Sequence, residues 1–172
     1  PLHEQAGAMA ADAYSRVTRN SGVAIGTSGP GATNMVTGIC CSYFDSIPVI
    51  YITGQVATFR LKGDLGFRQY GFQETDIVGC TRPIVKHSFS CLSVESIPDA
   101  IAKAFYLASS GRPGPVVVEL PKDILIPQNP GKFIMDKDVK MRSYSPNETG
   151  HPKQISKAAK AISKAKRLVV YT

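Results

Sequence analysis

The sequence lacks any apolar run near the roughly 20 residues that a membrane-spanning helix needs, so no such span is expected. It also lacks the basic-then-apolar opening of a secretory signal. It begins on Pro1 rather than methionine, which reads as a chain cut from something longer. Cysteine is sparse: Cys40, Cys41, Cys80 and Cys91 form no C-x-x-C pair, and no Cys/His spacing suits zinc. Cys40 and Cys41 fall in an apolar helical run, where free cysteine behaves as a small hydrophobe. The expectation is a reducing compartment, the cytoplasm, with no metal site in this stretch. Internal repeats and low-complexity segments are missing too.

What is present is ordinary for a globular protein: 172 residues, 43% hydrophobic and 19% charged, enough for one core and a fragment of a second. The net charge of +7 is unevenly placed. Residues 1–131 carry 10 basic and 10 acidic residues, whereas 132–172 carry 10 basic and 3 acidic. Lys153, Lys157, Lys160 and Lys164 recur at helical spacing around Ile155, Ala158, Ala159 and Ile162, as on the solvated face of an amphipathic helix. No aromatic residues interleave with them, so no nucleic-acid partner is expected.

Along the chain, Gln5–Arg19 reads as a helix with Ala6, Ala10, Ala13 and Val17 at intervals of three and four. Val23–Thr27 and Val49–Thr53 are apolar runs bounded by glycine, as in buried parallel strands. A helix is expected from about Ala32 to Tyr43, and a loop over residues 55–71. A short helix near Glu74–Gly79, an extended run at Ile84–Phe89, a helix at Ser96–Ser109 and a strand at Pro115–Leu120 follow. The alternation predicts an α/β fold, a doubly wound, mostly parallel sheet with helices on both faces. The domain is read as truncated at its N-terminus, with its first strand missing, and as spanning residues 1–126. Recurrent prolines mark 127–150 as a linker. A helix at Pro152–Ala165 and a strand at Arg167–Tyr171, within 151–172, read as the start of a second domain.

Glu4 stands at a helix start. Such an acid is favoured there by the helix dipole alone, which also depresses its pKa. Burial against a heterocycle would push the pKa back up and fit the carboxyl for acid–base work. Ser28-Gly29-Pro30-Gly31 is either a phosphate cradle or a tight strand-to-helix turn, and it matches neither standard nucleotide motif. Arg112, within Gly-Arg-Pro-Gly-Pro, either contacts a phosphate or complements a helix C-terminus.

Several collinear blocks carry more weight together. His3-Glu4-Gln5, Thr27–Asn34, Asp45-Ser46-Ile47-Pro48, Gly54-Gln55-Val56, Phe72-Gln73-Glu74-Thr75 and Ser110–Pro115 resemble the pyrimidine-binding domain of thiamine-diphosphate enzymes. Arg82–His87 and the tail Met141–Tyr144 narrow the resemblance to the large catalytic subunit of acetolactate synthases (acetohydroxyacid synthases), which Leu120–Ile124 also resembles. It covers essentially the whole chain.

The resemblance implies that Glu4 hydrogen-bonds N1′ of the aminopyrimidine and promotes loss of the C2 proton of thiamine diphosphate. It places Phe72 and Gln73 at that cofactor, Ser46 and Arg112 at a structural FAD, and Lys86 in the substrate channel. It puts Mg²⁺ at a site outside this chain. The implied reaction condenses two pyruvates, or pyruvate and 2-ketobutyrate, with decarboxylation, in branched-chain amino-acid biosynthesis. The fragment alone would be inactive. Implied partners are 2-keto acids, further copies in a homodimer or homotetramer, and a small regulatory subunit. The alternatives are another thiamine-diphosphate decarboxylase or carboligase, or a non-catalytic binding module of the same fold. One departure stands out: Phe59–Gly71 is longer than the family pattern, and it ends beside Gln73.

Overall fold

The structure is a computed structural model, and it describes residues 1–126, 139 and 141–171. It divides into two compact units, Pro1–Lys140 and Met141–Thr172.

The first unit is built on four parallel strands: β1 (Gly22–Gly26), β2 (Val49–Gln55), β3 (His87–Ser90) and β4 (Val116–Pro121), in the order β1-β2-β4-β3. All four strands are short, β1, β2 and β4 carry β-branched residues, and β4 is buried along its whole length, as expected of a parallel strand covered on both faces. The register aligns Ala24 with Tyr51 and Tyr51 with Val117. That row points into one core with Ala8, Ala11, Met35, Ile39 and Val49. By strand alternation the fully buried Ile50, Val116 and Val118 face the opposite layer.

Helices cover both sides of the sheet. The first helix, α1 (Glu4–Thr18), packs on β1, β2 and α3 (Val36–Phe44). A five-residue helix, α2 (Pro30–Asn34), leads into α3 through Met35, and α4 (Ile77–Thr81) packs beneath β4. The long helix α5 (Ser96–Ser109) lies against β2, β3 and β4, and α6 (Lys122–Leu125) follows β4 directly.

The stripe expected to anchor α1 faces the wrong way. Ala6, Ala10, Ala13 and Val17 are exposed, whereas Ala8, Ala11, Asp12 and Ser15 are buried. In a helix this rich in alanine, hydropathy barely distinguishes the faces, and polar partners decide. Asp12 accepts from Arg16 Nε at 2.5 Å and from Ser42 Oγ at 2.8 Å, and Ser42 Oγ meets the Tyr51 hydroxyl at 2.9 Å. Arg16 also reaches Asp45 at 2.6 Å, and Ser15 Oγ donates to the Pro48 carbonyl. These bonds join α1, α3 and β2. Close approach does the rest: a Cβ on Gly38 would sit 2.5 Å from Ala8 Cβ.

The second unit contains α7 (Pro152–Lys164), whose residues are all exposed. The strand expected at Arg167–Tyr171 does not form; these residues have no regular structure. A strand needs a neighbour to pair with, and residues 141–171 contain no other extended segment. The linker expected at 127–150 falls largely outside the described residues. No described helix is long and apolar enough to cross a membrane.

Candidate functional site

Open parallel sheets bind ligands beyond the carboxyl ends of their strands. Here that edge is where Glu4, the turn Ser28–Gly31 and Gln73 come together. Glu4 opens α1, behind a cap in which His3 Nδ1 accepts from the Gln5 backbone N–H. The turn after β1 brings Gly31 so close that a Cβ there would lie 3.1 Å from Glu4 Oε1 and 2.6 Å from Thr27 Cγ2. On the other side, a Cβ on Gly29 would lie 2.6 Å from the Gln73 carbonyl oxygen. Gly29 has φ +62° and ψ −119°, a conformation only glycine adopts readily. Gln73 itself sits at φ +63°. The glycines are therefore needed both for the turn and to let two functional groups close on it.

Asn34, the last residue of α2, donates its side-chain amide to Glu4 Oε2 at 3.0 Å. This hydrogen bond, helped by the backbone N–H groups at the helix start, holds the Glu4 carboxyl below the usual glutamate range. The direction agrees with the dipole expectation, but a side chain is the larger cause.

Two cavities flank this edge. One, of about 1180 Å³, is lined by Glu4, Gly26, Met35 and Thr53 among others. The other, of about 1060 Å³, is lined by Ser28, Arg60, Phe72 and Gln73 among others. Thr27, Gly54, Leu120 and Leu125 line both. Thr53 is fully buried in β2, and its hydroxyl has no hydrogen-bond partner among the described residues. Phe72 is 85% exposed on the second cavity.

Neighbouring motif residues serve as scaffold. Gln55 donates to Glu119 Oε1 and to the Thr75 carbonyl, both at 2.8 Å, while its own oxygen accepts from Val56 N–H. Glu74 is buried and accepts from the backbone N–H groups of Lys62 (2.7 Å), Tyr70 (2.8 Å) and Gly71 (3.1 Å). Burial pushes its carboxyl upward, but these three donors outweigh that and hold it below the ordinary value.

The remaining expected site residues lie at the other end of the strands. Ser46 precedes β2, Lys86 precedes β3 and Arg112 precedes β4. Arg112 Nε donates to Ser46 Oγ at 2.8 Å, with Ser46 at φ +59°. Lys86 directs its ammonium to the carbonyls of Leu107 and Ser110. At about 3.3 Å per residue, the length of β2 puts this group about 20 Å from Glu4 and Gln73. The structure thus brings Glu4, Phe72 and Gln73 to one edge and Ser46, Lys86 and Arg112 to the other. Asn34 and Thr53 were not singled out from sequence. Asn34 lay within a quoted block, and Thr53 gave no signal at all.

Residues 1–80 match the model of the N-terminal TPP binding domain of thiamine pyrophosphate enzymes. The chain is 52% identical over 169 residues to the acetolactate synthase isozyme 3 large subunit of Escherichia coli (strain K12), covering 98% of this chain and 28% of that protein. It is 46% identical to the acetolactate synthase large subunit of Haemophilus influenzae, covering 98% of this chain and 28% of that protein. It is also 46% identical to the probable acetolactate synthase large subunit of Methanococcus aeolicus, covering 98% and 27%. The chain spans little more than a quarter of the length of these relatives. The parallel α/β sheet that carries Glu4 and Gln73 on one edge thus goes with a chain whose residues 1–80 are similar to the N-terminal TPP binding domain of thiamine pyrophosphate enzymes and which is similar over nearly its whole length to part of the acetolactate synthase large subunits.

Proposed function

We propose that this chain is the pyrimidine-binding part of an acetolactate synthase large subunit, condensing two 2-keto acids with loss of carbon dioxide. The observation that carries the reading is the convergence of Glu4, Asn34, Gly29, Gly31 and Gln73 on one strand edge. The residues fit an aminopyrimidine. The glycine turn leaves no side chain between the two functional groups, and the unpartnered Thr53 hydroxyl lines the adjoining cavity. Bound thiamine diphosphate supplies the electron sink that decarboxylation needs. Glu4 would share a proton with N1′ of the ring, and Asn34 would orient the carboxylate from its Oε2 side. Gln73 and Phe72 would hold the cofactor from the second cavity.

The finer assignments rest on the family resemblance. Mg²⁺ with the diphosphate is proposed to bind beyond the described residues. Ser46 and Arg112 are proposed FAD contacts; an exposed guanidinium suits an anionic diphosphate. Lys86 is proposed to line the substrate channel. Residues 151–172 are proposed to open a further domain, and the assembly is proposed as a homodimer or homotetramer with a small regulatory subunit. The four cysteines are free, in keeping with the proposed cytoplasmic setting.

The test is Glu4→Gln in the complete open reading frame, which on this reading also encodes a Gly-Asp-Gly motif. The variant keeps size and reach but cannot exchange a proton. Cofactor C2–H exchange, followed by NMR in deuterated water, is expected to fall by about 10²–10⁴. Exchange at the wild-type rate would show that Glu4 is only a helix-start residue.

A further inference from the structure

Helix α1 carries Glu4 at its first position, yet its apolar surface does little to fix which way it faces. Alanines lie on both sides: Ala8 and Ala11 are buried, whereas Ala6, Ala10 and Ala13 are exposed. Close contacts set how near the helix lies, since a Cβ on Gly22 would stand 2.1 Å from the Ala11 carbonyl oxygen. Rotation about the helix axis is a separate matter. Methyl groups are short and round, so a turn of about 10–20°, enough to spoil a catalytic alignment, loses them little contact.

Polar groups supply what alanine cannot. Glu4, Ala8 and Asp12 follow at intervals of four along one stripe, which puts Asp12 about 12 Å down the axis from Glu4. Asp12 is buried and held from two directions. Ser42 Oγ, on α3, donates to its Oδ2 at 2.8 Å, and Arg16 Nε donates to its Oδ1 at 2.5 Å. Ser42 meets the Tyr51 hydroxyl at 2.9 Å, and both residues are fully buried. Tyr51 lies in β2, between Ala24 of β1 and Val117 of β4. The bond from Asp12 to Ser42 is therefore anchored in the middle of the sheet. Being directional, it resists rotation where methyl contacts do not. At the other end of the stripe, Glu4 Oε2 must meet the Asn34 amide at 3.0 Å while Oε1 faces Gly31.

We propose that Asp12 is a positioning residue for Glu4: by docking on Ser42 and Tyr51 it sets the rotation of α1 that aims the Glu4 carboxylate at Asn34 and the glycine turn. The inference rests on the acid–base reading of Glu4 and deepens it. Asp12 lines neither cavity, so it acts through the helix alone. A buried ionic group contributes little net stability, but it can select one arrangement among several, which is the use made of it here. Asp12→Asn can keep both contacts. Its oxygen accepts from Arg16, and its NH₂ donates to Ser42 Oγ, which in turn donates to Tyr51.

The experiment uses the complete enzyme with thiamine diphosphate and Mg²⁺ and follows C2–H exchange in deuterated water. Asp12→Ala is expected to slow exchange by about 10- to 100-fold, the usual penalty for a misplaced catalytic group. Ser42→Ala is expected to slow it in the same direction, and Asp12→Asn to restore most of the rate. In a Glu4→Gln background, Asp12→Ala is expected to add little, because the group it aims is already disabled. Wild-type exchange in a folded Asp12→Ala enzyme would overturn the assignment. So would an equal fall in both backgrounds, which marks a residue needed only for structure, or an Asp12→Asn enzyme as slow as Asp12→Ala, which makes charge the cause. If Asp12→Ala does not fold, the same cycle with Ser42→Ala decides between these outcomes. Wild-type exchange in Glu4→Gln would overturn the acid–base reading itself, and this inference with it.

Discussion

The amide of Asn34 and the carboxylate of Glu4 meet at 3.0 Å across thirty residues of sequence. The pair joins the start of α1 to the end of α2, and the turn after β1 lies between them. It sets where the carboxylate points and how readily it takes a proton.

Asn34→Leu removes the donor at similar volume, so the Glu4 pKa is expected to rise toward the ordinary glutamate value. The folded-state pKa is depressed, so the stability linked to it is present above the unfolded value and lost as pH falls through the folded one. The variant is expected to narrow that acid-side loss. Carboxyl ¹³C NMR titration checks this, with the Glu4 signal identified by its disappearance in Glu4→Gln. An unmoved midpoint would mean that the bond does not form in solution.

Glu74→Gln replaces an acceptor-only group with one that must turn an NH₂ toward backbone donors. A destabilisation of about 1–3 kcal/mol is expected from the unsatisfied N–H groups. Amide hydrogen exchange is expected to accelerate at Lys62, Tyr70 and Gly71 and to stay slow in β2 and β4. Wild-type protein is expected to show the same local opening in acid, because a depressed carboxyl loses its contribution as pH falls through its folded value.

Thr53→Val exchanges an unpartnered buried hydroxyl for a methyl group of the same shape. Stability is expected to hold or rise by up to about 1 kcal/mol, since the hydroxyl is desolvated without a compensating bond. Urea unfolding measures this. In the complete enzyme the same change is expected to weaken cofactor binding; unaltered affinity would remove Thr53 from the site.

Much of this architecture was legible because strand signals are strong. The apolar runs at Val23–Thr27, Val49–Thr53 and Pro115–Leu120 all became strands to within two residues at each end. The face of α1 was not legible, because alanine gives hydropathy little to distinguish and a buried Asp12 runs against the rule. In α5, likewise, the large apolar Phe105 is 41% exposed while the small Ala104 and Ala108 are fully buried. Glu4 and Gln73 were reachable through family blocks, but spacing alone could not show that one turn would bring them together. Thr53 could not be found at all, since only three-dimensional accounting reveals a missing hydrogen-bond partner.

The contact of Ala8 with Gly38 makes α1 a stiff mount. Where two helices touch through alanine and glycine, no long side chain can change rotamer to absorb a shift. A methyl group added at position 38 would displace the helix as a whole, and its first residue would move with it. The alignment of the Glu4 carboxylate is therefore governed partly from the far side of its own helix, by a residue with no polar group and no access to the cavity.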